Sequence, residues 1–300
     1  MTTRKPALPA FVLAASLLCS PGGIAFAETI EIPPAADTSL RSGFEADSNM
    51  GAEAELLFGT STQGTPQNHA LLRFDLSSIP ANAVLQSVSL RFFVTSFNHP
   101  AMMYDLNRLL VEWGEGTNVF RLPAQTGDAT WNSRLHGIAL WTEPGGGAGA
   151  DYVAAPSATA LLNTGTNEFT ADGLKTDVEF WLQNPASNFG WILHPSSTAV
   201  STGKKMASRE DADLGPRLII EYTLPETPAP VLGSPRLVGN EIRFTFNALA
   251  NQAYHVEFTD LLSSGSWEVL TNIPPQDEDT SIEVIGTASG AERYYRARIP

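Results

Sequence analysis

The stretch that decides the fold runs from Ala70 to Thr95 and reads ALLRFDLSSIPANAVLQSVSLRFFVT. Apolar side chains occupy every second position on both sides of its central polar turn. They are Leu72, Phe74 and Leu76 before the turn, and Val88, Leu90, Phe92 and Val94 after it. Because successive side chains of a strand point to opposite faces, each half buries one face and exposes the other. The stretch therefore predicts two strands of an all-β sandwich rather than an enzyme built on parallel strands.

The first 27 residues have the composition of a secretory signal peptide. Arg4 and Lys5 precede the apolar run Phe11–Leu18, and the sequence AFA at residues 25–27 fits a cleavage site. We expect cleavage after residue 27 and a secreted, extracellular protein, either free or associated with the cell surface. An uncleaved membrane anchor is the alternative, but Phe11–Leu18 is too short to span a bilayer. No later segment is apolar enough to be a transmembrane helix.

The net charge of the chain limits which partners it can bind, and its cysteine content limits whether disulfides can stabilise it. The chain has 32 Asp+Glu against 18 Lys+Arg, a formal net charge of −14. Such a surface repels nucleic acid and anionic membranes, so we expect no nucleic-acid partner. The single cysteine, Cys19, lies in the predicted signal peptide. The mature chain is therefore expected to lack disulfides and to depend on core burial or bound ions for its stability.

A proline-rich stretch divides the chain into two predicted domains. The predicted strand Leu218–Leu224 is followed by PETPAP, in which spaced prolines favour a semi-rigid extended linker. We therefore predict a large domain at residues 28–225, a linker at 226–230 and a small domain at 231–300. Short alternating strands in the small domain are typical of an immunoglobulin-like or fibronectin type III-like sandwich. Trp267 and Tyr295 are expected in its core.

The sequence predicts one helix in the large domain, Lys175–Gln183. Its apolar face is formed by Leu174, Val178, Trp181 and Leu182. Asp172 or Thr170 is the predicted N-terminal cap, and Pro185 follows the end.

Several separated pieces of the large domain occur in an order that resembles one family. They are Arg73–Pro80 (RFDLSSIP), Val88–Val94, Asn107–Trp113 (NRLLVEW), Ala129–Asn132 (ATWN), Trp141–Asp151 (WTEPGGGAGAD), the helix with Trp181, and Ala207–Tyr222 (ASREDADLGPRLIIEY). In this order they are similar to the DNRLRE domain, which is also known through the disaggregatase-related repeat and carbohydrate-binding module family 96. The resemblance covers most of Glu28–Leu224. One departure is the segment Gly114–Asp128, which is longer than the usual link between the two tryptophan motifs.

The resemblance implies a secreted β-jelly-roll that binds polysaccharide, with alginate as the attested example, and that has no catalytic motif. It usually accompanies catalytic or surface domains, and this chain has no enzyme domain beside it. Trp113 and Trp131 match family positions, and a tryptophan in an alternating strand is more often core than ligand site.

Basic and aromatic residues are the candidates for contact with an acidic polysaccharide. The cationic candidates are Arg91, Arg108, Lys204, Lys205 and Arg209, of which Arg91 is the best strand-borne one. Lysine and arginine pair with uronate carboxylates, arginine through a bidentate fork. Trp141 and Tyr152 flank the glycine-rich tract Glu143–Ala150, where aromatic faces can stack on sugar rings. Solvated or ion-paired charges and a buried Trp141 are the structural alternatives.

Oxygen-rich clusters suggest a structural calcium ion, the one cofactor that we consider. Asp37, Asp47 and Asn49 lie close together in sequence near Glu45, and Asp211 and Asp213 form a second group. Neither group has EF-hand spacing, and solvated acidic loops are the alternative.

The sequence favours a protein that is not an enzyme. Its five histidines form no HExxH pattern, and it has neither a G-x-S-x-G motif nor a phosphate-binding loop. A polysaccharide lyase with histidine, tyrosine and arginine from distant strands remains open. Our interpretation is a non-catalytic protein that binds an acidic polysaccharide, with a uronate-rich polymer as the candidate. The alternative is a structural or adhesive protein of the cell envelope or matrix that acts through protein–protein contacts.

Overall fold

The protein is described by a computed structural model that covers residues 27–96, 100–225, 230, 232, 233, 235–288 and 292–300. The described part of the chain divides into two compact units, with the division between residues 225 and 226. The predicted signal peptide with Cys19 lies outside the described residues, except for Ala27. Of the predicted linker only Pro230 is described. Among the described residues, no helix is long and apolar enough to cross a membrane.

The first unit consists almost entirely of antiparallel strands. Its elements are β1 (Ala27–Ile32), β2 (Pro34–Arg41), β3 (Glu55–Thr60), β4 (Gln67–Phe74), β5 (Val84–Val94), β6 (Met102–Arg108), β7 (Ser133–Leu135), β8 (Ala139–Leu140), β9 (Ala158–Leu162), β10 (Gly165–Thr170), α1 (Asp172–Gln183), β11 (Trp191–Pro195), β12 (Lys204–Ala207) and β13 (Arg217–Thr223). Two 3-10 turns lie at Gly43–Glu45 and Pro185–Ser187.

Eleven of these strands form a continuous sheet in the order β1-β13-β5-β12-β3-β4-β11-β6-β9, with β10 beside β5 and β2 beside β4. The sheet folds into an all-β sandwich, because buried side chains of β4, β5 and β11 enter one core. The alternation predicted for Leu72–Phe74 and Val88–Val94 is confirmed, since these inward residues are buried. β4 and β5 are not neighbours in the sheet, so the turn between them carries the chain to another part of the sandwich.

The predicted helix is present as α1, and its apolar residues Leu174, Val178 and Trp181 belong to the sandwich core. The prediction of a capping side chain is wrong. Ala171 is the N-cap residue, and no side chain in the described part of the chain accepts a hydrogen bond there. Asp172 instead lies in the first turn of the helix, where its negative charge interacts favourably with the helix dipole.

The second unit contains two three-stranded antiparallel sheets around a small core. Its strands are β14 (Arg236–Val238), β15 (Glu241–Ala248), β16 (Tyr254–Thr259), β17 (Glu268–Ile273), β18 (Thr280–Thr287) and β19 (Tyr294–Arg298), with a 3-10 turn at Leu262–Ser264. Tyr295 packs partly buried against the core, as expected. Trp267 does not belong to that core. Its indole is partly exposed and lies under the guanidinium of Arg296, 4.2 Å from the ring centre.

Candidate functional site

Three tryptophans of the long connection after β6 form a second small core. Trp113, Trp131 and Trp141 are buried and pack with Leu71 and Ile192 of the sheet. The indole N–H of Trp113 donates to the carbonyl of Phe189 at 2.8 Å, and that of Trp141 donates to Thr130 at 2.8 Å. Satisfied indoles in a packed core have structural roles. The core assignment of Trp113 and Trp131 is confirmed, and Trp141 is buried in the same core and not exposed for stacking on a sugar.

Residues 114–128, here called the docked loop, run alongside residues 46–53. Backbone hydrogen bonds join Asn49 to Leu122 at 3.0 Å and Ala52 to Asn118 at 3.1 Å. Gly51 permits this contact, because a Cβ atom there would lie 2.1 Å from the carbonyl oxygen of Glu115. The segment that is longer than the family pattern is therefore held against the sandwich by main-chain bonds.

The amide of Asn49 completes this attachment. Its Nδ2 donates to the carbonyls of Glu115 and Ala129, and its Oδ1 accepts the backbone N–H groups of Gly51 and Asn118. The amide is buried and its oxygen is already shared by two donors. We therefore assign Asn49 to the structure of the loop rather than to a metal.

A surface pocket of about 110 Å³ lies where the docked loop meets β3 and β12. Its lining residues are Met50, Glu53, Ala54, Glu55, Leu57, Arg121 and Lys205. Phe120 and Arg121 both have left-handed backbone conformations, with φ of 56°. The N–H of Phe120 donates to Oε1 of Glu53 at 2.5 Å, and the Phe120 ring is 84% exposed. A lysine, an arginine and an exposed aromatic ring therefore lie at one edge of the unit.

Both cations of the pocket form exposed ion pairs. Lys205 Nζ lies 2.7 Å from Glu55, and Arg121 lies 3.1 Å from Glu45. Burial alone would raise the pKa of Glu55, but hydrogen bonds from Lys205 and Thr95 outweigh it and leave that pKa below its ordinary value. Burial would also raise the pKa of Glu45. The hydrogen bonds from Arg41 and Arg121 outweigh this effect, so the pKa of Glu45 is lowered as well. Glu55 and Glu45 are therefore ionised at neutral pH.

The cationic residues predicted from the sequence are spread over the first unit. Arg91 lies on β5 with its guanidinium 2.8 Å from Glu31. Arg108 pairs with Asp177 on α1. Lys204 is 3% exposed, its Nζ donates to the carbonyl of Pro100 at 3.1 Å, and burial lowers its pKa. Of the predicted lysines, Lys205 is the one that lines the pocket.

Tyr152 belongs to a partly buried aromatic cluster with His194 and His69. The ring centres of Tyr152 and His194, and of His194 and His69, are both 5.4 Å apart. Burial, and secondarily the electrostatic interaction with His194, lower the pKa of His69 to about 3. Its Nδ1 lies 2.8 Å from the carbonyl of Gly145, which suits a donating N–H. Both histidines are neutral at physiological pH, since burial also lowers the pKa of His194.

The acidic residues predicted to bind a metal separate into two places. Asp37 lies beside Glu115 and Glu210 and not beside Asp47. Oδ2 of Asp37 accepts the backbone N–H of Arg209 at 2.7 Å, and burial raises the pKa of Asp37 to about 8. Asp47 instead accepts a hydrogen bond from Asn132 at 2.9 Å.

Arg209 is the counter-ion of this acidic group. Its Nη1 lies 3.0 and 3.1 Å from the two carboxylate oxygens of Glu115 and donates to the carbonyl of Ala35 at 2.6 Å. Burial raises the pKa of Glu115 despite this contact. Arg209 therefore pairs with the loop root, although its side chain is still 36% exposed.

Sequence reasoning missed Arg121, Glu53 and Glu55 as pocket residues. For Arg121, the sequence did contain a signal, namely the extra length of Gly114–Asp128. An insertion that contains an aromatic residue next to an arginine is a candidate for an exposed binding loop. Glu53 and Glu55 gave no signal, because their role depends on contacts with residues 67 and 150 positions away.

Residues 28–117 match the model of carbohydrate-binding module family 96. No curated protein matches the chain. Two crystal structures of β-glucuronidase from Parabacteroides merdae align with it at 8% identity, one of them with glycerol in the active site. They cover 90% and 89% of this chain, with TM-scores of 0.21 and 0.19. The chain spans about a third of their length (36% and 35%), and likeness this weak carries no argument.

The family match runs from β1 through β6 and into the first residues of the docked loop. It supports a carbohydrate-binding module of family 96 within the first unit, and with it a carbohydrate as the partner.

Proposed function

We propose that this protein is a secreted, non-catalytic carbohydrate-binding protein that holds an acidic polysaccharide at the pocket of Arg121 and Lys205. The observation that carries the proposal is the family match over residues 28–117. That segment supplies five of the seven lining residues, from Met50 to Leu57. The docked loop and β12 each add one cation to this framework.

The two cations favour a ligand that bears carboxylates. Exposed ion pairs contribute only about 0–1 kcal/mol, so exchange of Glu55 or Glu45 for a uronate carboxylate costs little. In a chain of net charge −14, local cations are needed to attract a polyanion. The exposed ring of Phe120 adds an apolar face on which the C–H groups of a sugar can pack.

The pocket volume favours a polymer over a free small molecule. At about 110 Å³ it is well below the roughly 300–1,000 Å³ of sites that enclose a small ligand. A pocket of this size suits one sugar unit or its carboxylate, while the rest of the chain lies across the surface.

The carboxylates of the pocket argue against glycoside hydrolysis. Hydrolysis requires one carboxyl group held protonated by a raised pKa, next to an ionised partner. The pKa of Glu55 is lowered, and Glu55 pairs with Lys205. Oε1 of Glu53 accepts the backbone N–H of Phe120, so that oxygen already has a partner.

The test is affinity electrophoresis of the full chain through alginate, pectate and a neutral glucan, with an assay for new chain ends. We expect retention by the uronate polymers without cleavage, and loss of retention in the Arg121→Ala, Lys205→Ala double variant. The charge-matched control is the Arg91→Ala, Arg236→Ala double variant, which removes two exposed, ion-paired arginines elsewhere. Cleavage would contradict the non-catalytic proposal, and loss of retention in the control alone would contradict the pocket.

A second candidate is a structural or adhesive role through protein contacts. The observation that favours it is a set of exposed apolar side chains on segments that hydrogen-bond to one another. These side chains are Phe44, Phe120, Ile138 and Leu140. Backbone bonds join residue 132 to 46 and residue 127 to 136. Self-association that Phe44→Ser abolishes, together with no retention by any polysaccharide, would favour this second role.

A further inference from the structure

We propose that the carboxylates of Asp37, Glu115 and Glu210 form a binding site for a divalent cation, with calcium as the best fit. The three residues come from β2, from the root of the docked loop and from the segment after β12. One carboxylate oxygen of each lies within 4.8 Å of those of the other two. Two oxygens on opposite sides of a calcium ion, each at about 2.4 Å, are about 4.8 Å apart. The three groups therefore fit around one such ion.

The second observation is a buried oxygen that has no partner. Asp37 is 1% exposed, and Oδ2 alone of its two oxygens accepts a hydrogen bond, while Oδ1 has no partner among the described residues. A polar oxygen that is buried without a partner is unfavourable, and more so when its carboxyl group is ionised. A bound cation would supply the partner that Oδ1 of Asp37 lacks. This unpartnered oxygen therefore points to a ligand independently of the clustering of the three carboxylates.

The charge of the site also matches a divalent ion. Arg209 offsets one of the three carboxylates through its contact with Glu115. With all three carboxylates ionised, as ligands of a bound cation are, the remaining two negative charges equal the charge of one calcium ion. Hard oxygen donors select calcium or magnesium over softer metals, and the wide spacing favours calcium, whose ligand distances are longer.

The position of Glu115 gives the cation a role. Glu115 is the second residue of the docked loop, and Arg121 further along the same loop lines the pocket. A shared ion would tie the loop root to β2 and to the segment at Glu210. An effect of calcium on polysaccharide retention rests on the proposed function, whereas binding of the ion itself does not.

The test is therefore made without polysaccharide. The full chain is treated with chelator, exchanged into metal-free buffer and titrated with CaCl2 or MgCl2 by calorimetry, with thermal unfolding in parallel. Terbium luminescence excited through tryptophan gives an independent readout, since Trp113 is two residues from Glu115. We expect one calcium site, weaker magnesium binding and a higher unfolding temperature with calcium, because an ion that binds only the folded state stabilises it.

Two variants and a matched control locate the site. Asp37→Asn and Glu210→Gln should each weaken calcium binding by about tenfold or more, since the affinity depends on the number of charged ligands. Asp47→Asn removes the same charge from a nearby residue outside the cluster and should bind as the wild type does. Glu210→Gln keeps the test decisive if Asp37→Asn does not fold. Absence of binding by the wild type, or binding by both cluster variants as tight as that of the wild type, would overturn the proposal.

Discussion

Arg108 and Asp177 form an ion pair between the end of β6 and α1, with 2.9 Å between Nε and Oδ1. The same carboxylate accepts the indole N–H of Trp191 at 2.7 Å and the hydroxyl of Ser157. The Arg108 guanidinium also lies 4.4 Å from the ring centre of Phe180. Arg108 therefore attaches the helix to the sheet, and its charge is not offered to a ligand.

Arg108→Gln should lower the free energy of unfolding by about 2–3 kcal/mol, because it leaves the mostly buried carboxylate of Asp177 without its cation. Urea denaturation measures the change. Arg91→Gln breaks an exposed pair and is the control, with an expected change below about 1 kcal/mol. If Arg108→Gln were as stable as the wild type but no longer retained by the polysaccharide, Arg108 would be a ligand-binding residue and not a structural one.

Lys205→Gln should weaken retention by a uronate polymer about fivefold, equivalent to about 1 kcal/mol, because it removes one cation from the pocket. Lys205→Arg, which keeps the charge, should retain most of the affinity. Added salt should weaken polysaccharide binding by the wild type more than binding by Lys205→Gln. Salt screens the attraction between Lys205 and the uronate carboxylates, and the variant lacks that attraction. Identical salt dependence in the two proteins would argue against a contact at Lys205.

Acid should destabilise the first unit through His69. Because its folded pKa of about 3 lies below the ordinary value, the unfolded chain takes up a proton below about pH 6.5 that the folded chain rejects. Stability from this group is therefore lost as the pH falls, by about 1–2 kcal/mol at pH 5. Denaturation of wild type and His69→Gln at pH 7 and pH 5 isolates this effect, since the carboxylates are common to both. A wild-type loss no larger than that of the variant would contradict the prediction.

Gly145→Ala should destabilise the first unit by about 2–3 kcal/mol. Gly145 has φ of +88°, and a Cβ atom there would lie 2.6 Å from the buried ring of Trp131. Gly149→Ala is the matched control, because φ is +80° but a Cβ atom would meet nothing within 4 Å. The control should lose only the backbone cost of about 1 kcal/mol. Equal unfolding midpoints for the two variants would show that the contact with Trp131 is soft.

The sequence predicted local structure well where one repeating pattern determined burial. The alternation in β4 and β5 identified the inward residues, and the helical spacing of Leu174, Val178 and Trp181 identified α1. The order of strands in the sheet had no such signal, because β5 pairs with β13, β10 and β12 from much later in the chain.

The site was harder to predict, because its contacts join distant residues. Proximity in sequence grouped Asp37 with Asp47 and Asn49. In the fold, Asp37 meets Glu115 from 78 positions away and Arg209 from 172 positions away. A list of charged residues likewise does not distinguish Arg108, whose partner is on a helix, from Lys205, which lines a pocket. The role of each charged residue depends on which distant residue the fold places beside it.

The strand order also limits how this module can be moved between proteins. Strands on the two sides of residue 117 alternate through the sheet: β13 separates β1 from β5, and β11 separates β4 from β6. A piece that ended where the family match ends would leave several strand edges unpaired, which invites aggregation. Recombination, whether in a genome or in a cloning experiment, must therefore carry the chain through Thr223 to transfer a foldable unit.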